Sequence, residues 1–387
     1  MAKHKNGIVI AVTFLLWFSV YAYLPNFTPY MESLEFSPAM MGIVIGSYGL
    51  TQMLLRIPVG LLSDKFGRRL FIILGMVFTF ISGFLLFLSD SFIIVLIARA
   101  CAGAAVSTWV SLMVLFSGYH DKEKTVKASG TLNFVNNIGQ LCAIILGSLL
   151  VSFTVLQDRA AFLLAAIAGL AAFIFSFAIY EDRQIIPAGN PQNKARFTDV
   201  ISNKTLIIVS LIGAVSQLVT FSTIFGFTPA YAREVFGIDS LGSGVLMFFS
   251  YVPTAFGALF LSRFLSGRFK DYKLVITGMV LMGATTILIP FTTAYYALII
   301  TQIVAGFGRG ISFPLLMGLS IKKIQENQRG AAMGIFQAVY SFGMFFGPFI
   351  TGLINETFAL GAAFIFIGSV CLILTALSYF SLRKLDL

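Results

Sequence analysis

Residues 60–69 read Gly-Leu-Leu-Ser-Asp-Lys-Phe-Gly-Arg-Arg, and all four charged side chains fall within the last six positions of this segment. Charge-free stretches flank the segment: residues 36–55 precede it, and residues 70–89 follow it. A helix needs about 20 predominantly apolar residues to cross a bilayer, and each flanking stretch has that length. The pattern predicts two membrane helices that are joined by a short, basic loop.

The composition of the whole chain also indicates a membrane protein. Its 387 residues are 58% hydrophobic and only 11% charged, with a mean hydropathy of +0.92. A soluble domain carries about 25% charged residues because its surface must be polar, and a disordered chain carries few apolar residues. Both classes are therefore excluded. The three cysteines lie far apart within apolar runs and predict neither disulfides nor a metal site, and no cofactor is expected: Cys101, Cys142 and Cys371.

Charge-free runs predict twelve membrane helices. The run over residues 274–321 is interrupted only by Arg309 and is too long for one helix, so we divide it at the turn that follows Pro290. Transmembrane strands fit poorly, because they alternate polar and apolar residues over about 10 positions. The predicted fold is therefore an all-α membrane protein. The other runs cover residues 6–31, 36–55, 70–89, 91–119, 128–157, 160–180, 205–232, 240–262, 330–355 and 357–382.

The positive charge is distributed unevenly between alternate loops. With the N-terminus inside, 21 of the 26 Lys and Arg residues fall on inner segments, and only Arg159 and Arg233 fall on outer loops. This asymmetry satisfies the positive-inside rule. The net charge of +10 therefore indicates topology and contact with lipid rather than nucleic-acid binding. We expect a multi-pass protein of the cell (cytoplasmic or inner) membrane with both termini in the cytoplasm.

The chain divides into two halves that resemble each other. A polar linker over residues 183–204 separates residues 1–182 from residues 205–387. When the halves are aligned, Gly130-Thr-Leu-Asn133 matches Gly334-Ile-Phe-Gln337. A parallel repeat of six helices predicts two pseudo-symmetric six-helix bundles with a site between them.

The basic loop matches a known pattern. It resembles the loop motif of the major facilitator superfamily, G-x-L-a-D-[RK]-x-G-R-[RK], at every defining position and directly after helix 2. The resemblance covers the whole chain in its layout and implies a bacterial-type, twelve-helix secondary transporter. It also implies that the loop is a latch for the outward-facing state, in which Asp64 faces the start of helix 11 and Arg68 pairs with Asp121. The latch residues are Gly60, Asp64, Lys65, Gly67, Arg68, Arg69 and Asp121.

Two further motifs match only in part. Residues 99–103 in helix 4 resemble the superfamily motif R-x-x-x-G. Residues 343–348 in helix 11 read Gly-Met-Phe-Phe-Gly-Pro, which resembles a pattern that proton-coupled drug exporters carry on helix 5. Its position in the other half argues against a drug exporter and favours helix packing. The glycine cluster over residues 306–310 favours a flexible or broken helix 10 rather than a nucleotide-binding loop.

Three arginines lie within the predicted spans, whereas every acidic residue falls in a loop or near the end of a span. Buried cations need compensation, and a substrate carboxylate or phosphate would supply it through bidentate hydrogen bonds. Each arginine also has a structural alternative. Arg56 can reach the inner surface with its long side chain, Arg99 can serve an ion pair or reach toward the membrane surface, and Arg309 can serve helix packing.

Polar side chains on the helices that line the central pore in this family are further candidates. Asn133, Asn136, Asn137 and Gln140 have the spacing of one helix face. Polar residues also hold membrane helices together, so each candidate has a packing alternative. The candidates for substrate or proton handling are Arg56, Arg99, Arg309, Asn26, Glu32, Trp109, Asn133, Asn137, Gln140, Gln217, Tyr251, Gln337 and Tyr340.

These observations predict a secondary transporter that moves a small organic solute with a carboxylate or phosphate by alternating access. No ATP-binding loop occurs, so a gradient is the expected drive, and Asp64, Glu32 or the substrate would carry a coupled proton. The alternative is a proton-coupled multidrug exporter of hydrophobic or cationic compounds. An enzyme is not expected, because both histidines, His4 and His120, fall on predicted cytosolic segments. Lipid is the expected surrounding, and we expect a monomer.

Overall fold

The computed structural model describes residues 2–120, 125–181, 200, 202–265, 267–325 and 328–384. Within these residues, twelve helices are long and apolar enough to cross a membrane, as predicted. The predicted turn after Pro290 is also confirmed, because one helix ends at Phe291 and the next begins at Tyr295. In chain order the helices are α1 Lys5–Ser33, α2 Pro38–Phe66, α3 Arg68–Leu88, α4 Phe92–Gly118, α5 Lys127–Phe153, α6 Asp158–Ser176, α7 Lys204–Phe236, α8 Ser240–Phe260, α9 Asp271–Phe291, α10 Tyr295–Lys322, α11 Arg329–Thr357 and α12 Leu360–Lys384.

The start and end of α2 follow from local sequence. The Ser37 side chain accepts a hydrogen bond from the backbone N–H of Met40, and Pro38 occupies the first turn, where its missing N–H costs nothing. At the other end, Gly67 has φ +103°, a conformation that favours glycine. Only Gly67 separates α2 from α3, so the charged residues of the basic loop lie in the helical turns on either side of it. We call the membrane face that carries it the basic face, and the other the opposite face.

Irregular turns interrupt three helices away from their ends, and α9 finishes in a 3-10 turn over Ile289–Phe291. The α1 helix is interrupted after Tyr21 and resumes at Leu24, and α4 is interrupted at Thr108. The α7 helix contains a π-helical turn over Thr223–Phe227. Such turns release backbone groups from the regular ladder and are frequent at functional sites. Here the Gly226 carbonyl in the π-helical turn accepts a hydrogen bond of 2.6 Å from the Thr28 hydroxyl of α1.

The α10 helix is continuous across its glycine cluster, so the predicted break is wrong. The glycines instead allow close packing. A Cβ atom at Gly306 would lie 2.2 Å from the Ser250 carbonyl oxygen, and one at Gly310 would lie 2.2 Å from the Thr254 carbonyl oxygen. Both contacts are to α8, so the cluster is a smooth surface for a neighbouring helix.

The two halves meet most closely between α2 and α11. A Cβ atom at Gly42 would lie 2.5 Å from the Pro348 carbonyl oxygen, and one at Gly46 would lie 2.7 Å from that of Phe345. In the other direction, a Cβ atom at Gly352 would lie 2.3 Å from the Pro38 carbonyl oxygen. We call this contact the glycine seam. The helices are antiparallel, and the seam lies on the half of the membrane that adjoins the opposite face.

The halves separate toward the basic face. On α5, Ser148 is buried against Gly244 of α8. Asn133 and Asn137 lie on a similar face of α5 but nearer to the basic face, and both are exposed. Gly60 of α2 and Gly334 of α11 have no atom within 4 Å of an added Cβ among the described residues. The conformation is therefore closed on the opposite face and open on the basic face.

The predicted linker falls mainly on residues outside the described part of the chain. Residues 182–199 and 201 are not described, and α7 begins at Lys204, the last residue of the predicted linker. The two domain boundaries remain predictions.

Two glycines of α5 provide a matched test of this packing. A Cβ atom at Gly147 would lie 1.7 Å from the Ala22 carbonyl oxygen, whereas nothing lies within 4 Å of one at Gly130. We expect Gly147→Ala to destabilise the protein by about 1–3 kcal/mol through overpacking. Gly130→Ala should be neutral or stabilising by up to about 1 kcal/mol, because alanine has the higher helix propensity. Thermal unfolding in detergent measures both, and equal melting temperatures for the two variants would contradict the packing.

Candidate functional site

The three membrane arginines occupy three different environments. None of them forms an ion pair with an acidic side chain among the described residues. Arg99 is 1% exposed and Arg56 is 5% exposed, whereas Arg309 is half-buried. The surroundings of the three side chains separate their roles.

Arg309 lies near the middle of α10 and is oriented by α8. Its Nε and Nη2 atoms donate to the Thr254 hydroxyl at 3.2 and 2.8 Å, and Nη2 also lies 3.4 Å from the Ser250 carbonyl oxygen. The guanidinium carbon lies 5.2 Å from the ring centre of Tyr251 and 5.8 Å from that of Phe225. Within the described residues Nη1 carries no hydrogen bond. One edge of the guanidinium group is thus held in place, and the other can bind an acceptor.

Arg56 joins the two halves at the inner limit of the glycine seam. Its Nη1 atom donates to Gln337 Oε1 at 2.5 Å and to the Tyr340 hydroxyl at 2.6 Å, both on α11. Its Nη2 atom donates to Gln52 one turn earlier on α2. The structure therefore brings three predicted residues together, and it uses the terminal nitrogens of Arg56 for a bridge between α2 and α11.

Arg99 is enclosed within the first half. Its Nη1 atom donates to the Tyr23 hydroxyl at 3.2 Å, and its guanidinium carbon lies 4.4 Å from the ring centre of Tyr48. The rings of Tyr23 and Phe27 lie 5.9 and 5.7 Å away. A cation–π interaction contributes about 2 kcal/mol when the cation is desolvated. The ion pair predicted as the structural alternative for Arg99 is not seen among the described residues, and the rings that enclose this side chain favour a packing role instead.

Aromatic rings connect the two halves on the side of Arg309 that faces the opposite face. The ring of Tyr21 on α1 lies 5.8 Å from those of Phe225 and Tyr251, and the ring of Tyr48 lies 5.8 Å from that of Phe221. These edge-to-face and stacked pairs cross between α1 or α2 and the second half. They close the path toward the opposite face. We call them the aromatic seal.

The two tryptophans lie side by side next to this seal. Trp109 begins the second segment of α4 and meets Trp17 edge to face at 5.5 Å. Trp17 lies 5.9 Å from Tyr21 of the seal. The Trp17 indole N–H is buried without a partner among the described residues. Trp109 is half-buried.

The other candidates lie apart from Arg309. The α5 face is confirmed as a stripe: Gln140 is buried and donates to Asn136, while Asn133 and Asn137 are exposed. Asn26, Glu32 and Gln217 are not seen to contact the arginines. Asn26 is buried, and both of its polar side-chain atoms are unpartnered among the described residues. Glu32 is half-buried in the last turn of α1, and Gln217 is buried in α7.

The basic loop forms a compact charged cluster. Arg68 Nη2 lies 2.6 Å from Asp64 Oδ1, and the Asp64 side chain is 63% exposed. Glu181, after the end of α6, accepts hydrogen bonds from the backbone N–H groups of Arg68 and Arg69 at 2.7 and 3.0 Å. A carboxylate at this position stabilises the N-terminus of α3. Glu181 is a functional candidate that sequence reasoning missed.

The remaining latch residues are placed as follows. Arg69 Nη2 donates to the Phe177 carbonyl oxygen at 2.6 Å, and Lys65 is exposed beside the Phe66 ring. Asp121, the predicted partner of Arg68, lies outside the described residues, and the predicted approach of Asp64 to α11 is not seen here. The neighbouring Tyr119 hydroxyl donates to the Tyr180 carbonyl, and burial raises the pKa of Tyr119 to about 12.

Comparison with known proteins places this geometry in a family. A family model described as Major Facilitator Superfamily matches residues 9–269 and 221–386. The proton-coupled antiporter flippase LtaA of Staphylococcus aureus (strain USA300) is 23% identical over 395 residues, which covers 99% of this chain and 97% of that protein.

Solved transporter structures share the fold. A bacterial homologue of the human lysosomal transporter Spinster, in an inward-facing and unoccupied conformation, has a TM-score of 0.78 at 15% identity, covering 100% of this chain and 97% of that one. The nucleoside transporter NupG has a TM-score of 0.75 at 17% identity, covering 98% and 99%.

The family match runs through both halves, and the matched proteins are transporters, which excludes the membrane-enzyme alternative. The chain therefore belongs to the Major Facilitator Superfamily and is a multi-pass membrane transporter with twelve membrane helices.

Proposed function

We propose that the protein is a secondary active transporter of small organic anions whose carboxylate or phosphate binds Arg309. The observation that carries this proposal is the state of the Arg309 side chain. It is half-buried at mid-membrane, it has no acidic partner among the described residues, and Thr254 fixes its orientation while Nη1 remains unbonded. A guanidinium group that is held in this way is a preorganised receptor for a carboxylate or phosphate group.

The multidrug alternative has an observation in its favour, because aromatic faces attract hydrophobic cations. However, the rings of Tyr251 and Phe225 already face Arg309, and the ring of Tyr48 already faces Arg99. A cationic substrate would be placed next to these guanidinium groups. Like-charge repulsion therefore favours the anion over the cation at the centre of the molecule.

Gradient coupling and orientation belong to the same proposal. We infer that the basic face is cytoplasmic, since the positive-inside rule places Lys and Arg there. The relative LtaA is named as a proton-coupled antiporter, which supports proton coupling in this chain as well. Acidic residues in the described helices lie only in their first or last turns, as Glu32 and Asp64 do. A proton would therefore be carried near a membrane face rather than beside Arg309.

The chain contains only two tryptophans, and both lie beside the aromatic seal, so intrinsic fluorescence reports on binding. We expect phenylacetate and phenyl phosphate to change the emission of the purified protein saturably. Arg309→Gln should raise their Kd about ten- to a hundredfold, because a hydrogen bond to a charged group contributes about 1.5–3 kcal/mol. The Kd values of Arg309→Lys should lie between those of the unaltered protein and those of Arg309→Gln, because lysine keeps the charge but loses the bidentate geometry.

The control is Arg159→Gln, which removes an arginine that pairs with Asp90 near the opposite face. It should leave Kd unchanged. Phenylacetamide and benzyltrimethylammonium have a similar ring without the negative charge. Tighter binding of benzyltrimethylammonium than of phenylacetate would refute the anion proposal and favour the multidrug alternative.

Arg99 should behave differently from Arg309. We expect Arg99→Ala to lower the melting temperature, because it leaves a cavity among Tyr23, Phe27 and Tyr48 and removes their interactions with the cation. The loss should be about 2–4 kcal/mol. Variants that remain folded should bind phenylacetate with unchanged Kd. A Kd that rises as much as in Arg309→Gln, at an unchanged melting temperature, would place Arg99 in the substrate site instead.

Glu32 provides a test of proton coupling. In proteoliposomes, we expect Glu32→Gln to abolish substrate accumulation driven by a pH gradient while substrate exchange at equal pH continues, because exchange needs no net proton movement. Glu35→Gln is the matched control, since Glu35 lies three residues later in the exposed turn. Normal gradient-driven accumulation by Glu32→Gln would exclude Glu32, and the same assay on Asp64→Asn would then test the other candidate.

A further inference from the structure

Glu356 forms a contact between the two halves that is separate from the substrate site. It is the second-last residue of α11, and its Oε2 atom accepts hydrogen bonds from the Ala39 backbone N–H at 3.0 Å and from the Ser37 hydroxyl at 3.3 Å. Both donors belong to the N-terminus of α2. A carboxylate from the second half therefore caps a helix of the first half at the opposite face.

This contact has a clear physical basis. The first N–H groups of a helix lack partners within the helix, and its N-terminus attracts negative charge. Within α2 the Ser37 side chain already accepts from the Met40 N–H. Glu356 accepts a hydrogen bond from the Ala39 N–H, to which the Ser37 side chain is not bonded. If the halves separate at the opposite face, Ala39 loses this partner and Glu356 moves away from the positive end of α2.

The position of Glu356 mirrors that of Asp64. The α2 and α11 helices have 29 residues each and run antiparallel along the glycine seam. Asp64 is the third-last residue of α2, at the basic face, and Glu356 is the second-last residue of α11, at the opposite face. Each helix thus carries one carboxylate at its C-terminal end, on the membrane face where its partner helix begins.

The present conformation engages only one of the two. Glu356 binds the start of α2, whereas Asp64 is 63% exposed and is seen to bind Arg68 of its own half. Glu356 bridges the halves at the opposite face, which is closed. Asp64 is not seen to bridge them at the basic face, which is open.

We propose that Glu356 is a positioning residue of the transport cycle: it holds the opposite face closed by capping α2, as the reciprocal of Asp64 at the basic face. Its contacts are with the start of α2 at the opposite face, and none with Arg309 is seen. The proposal does not depend on the identity of the transported solute.

The test measures closure at both faces of the purified full-length protein in detergent. Cys101, Cys142 and Cys371 are first replaced by alanine. A cysteine at Thr28 then reports on the opposite face, because Thr28 of α1 is buried against α7. A cysteine at Asn133 reports on the basic face, where Asn133 is exposed. We expect Glu356→Gln to raise the maleimide labelling rate at Thr28→Cys about threefold and to lower the rate at Asn133→Cys, as a lost helix cap shifts the equilibrium.

Asp239→Asn is the matched control. Asp239 also caps a helix, but it binds Gly242 N at 2.8 Å within its own half, so both labelling rates should remain unchanged. General destabilisation would raise labelling or leave it unchanged at both positions, whereas a shift between conformations changes the two rates in opposite directions. An unchanged rate at Thr28→Cys in Glu356→Gln would overturn the proposal.

A second variant covers the case in which Glu356→Gln does not fold. Ser37→Gly removes the Ser37 hydroxyl, and glycine is nearly as good an N-cap as serine. We expect the same opposite changes at Thr28→Cys and Asn133→Cys, with a smaller amplitude, because the Ala39 hydrogen bond to Glu356 remains. Unchanged rates in folded Ser37→Gly, or changes in the same direction at both positions, would overturn the proposal independently.

Discussion

The close contact of α2 with α11 determines the shape of the molecule. Gly42 and Gly46 on α2 and Gly352 on α11 let two backbones meet without side chains between them. Small residues permit such an approach in a membrane, where association depends on packing rather than on exclusion of water. Because the seam occupies one half of the membrane only, the helices diverge in the other half. Arg56 lies where they begin to diverge and binds α11 there.

The arginines show how a membrane protein holds cations without buried acids. Arg99 is surrounded by rings, and Arg56 is bound by neutral oxygens of Gln52, Gln337 and Tyr340. In both cases the protein itself supplies the partners. Arg309 receives only a hydroxyl, a weak carbonyl contact and two rings, and one nitrogen is left without a bond to the described chain. The Nε atoms of Arg56 and Arg99 also lack a partner among the described residues, but these two side chains are buried, whereas Arg309 is half-buried. The difference between the arginines is therefore whether an unbonded nitrogen can be reached by a ligand, which the spacing of residues along the chain does not reveal.

Sequence reasoning was most successful where local physics decides. The twelve helices follow from hydropathy, the turn between α9 and α10 follows from Pro290, and the α5 stripe follows from helical periodicity. It failed where partners are distant in sequence. Glu181 and Glu356 each follow an apolar run and look like ordinary boundary residues, yet each caps a helix more than a hundred positions away. The glycines of α10 were misread because flexibility and close packing require the same residue type.

The π-helical turn of α7 connects the proposed substrate site at Arg309 with the closed face. Phe225 in this turn lies over Arg309 and against Tyr21 of α1, and the next residue, Gly226, accepts the hydrogen bond from Thr28. An anion at Arg309 changes the charge beneath the same ring that closes the path between the halves. A neutralised guanidinium group attracts the ring face less strongly, since the cation–π interaction depends on net charge. Binding at the centre would therefore loosen the hold of Arg309 on Phe225, the ring through which α7 contacts Tyr21 of the first half, while the glycine seam and Glu356 continue to hold the halves together nearer the opposite face.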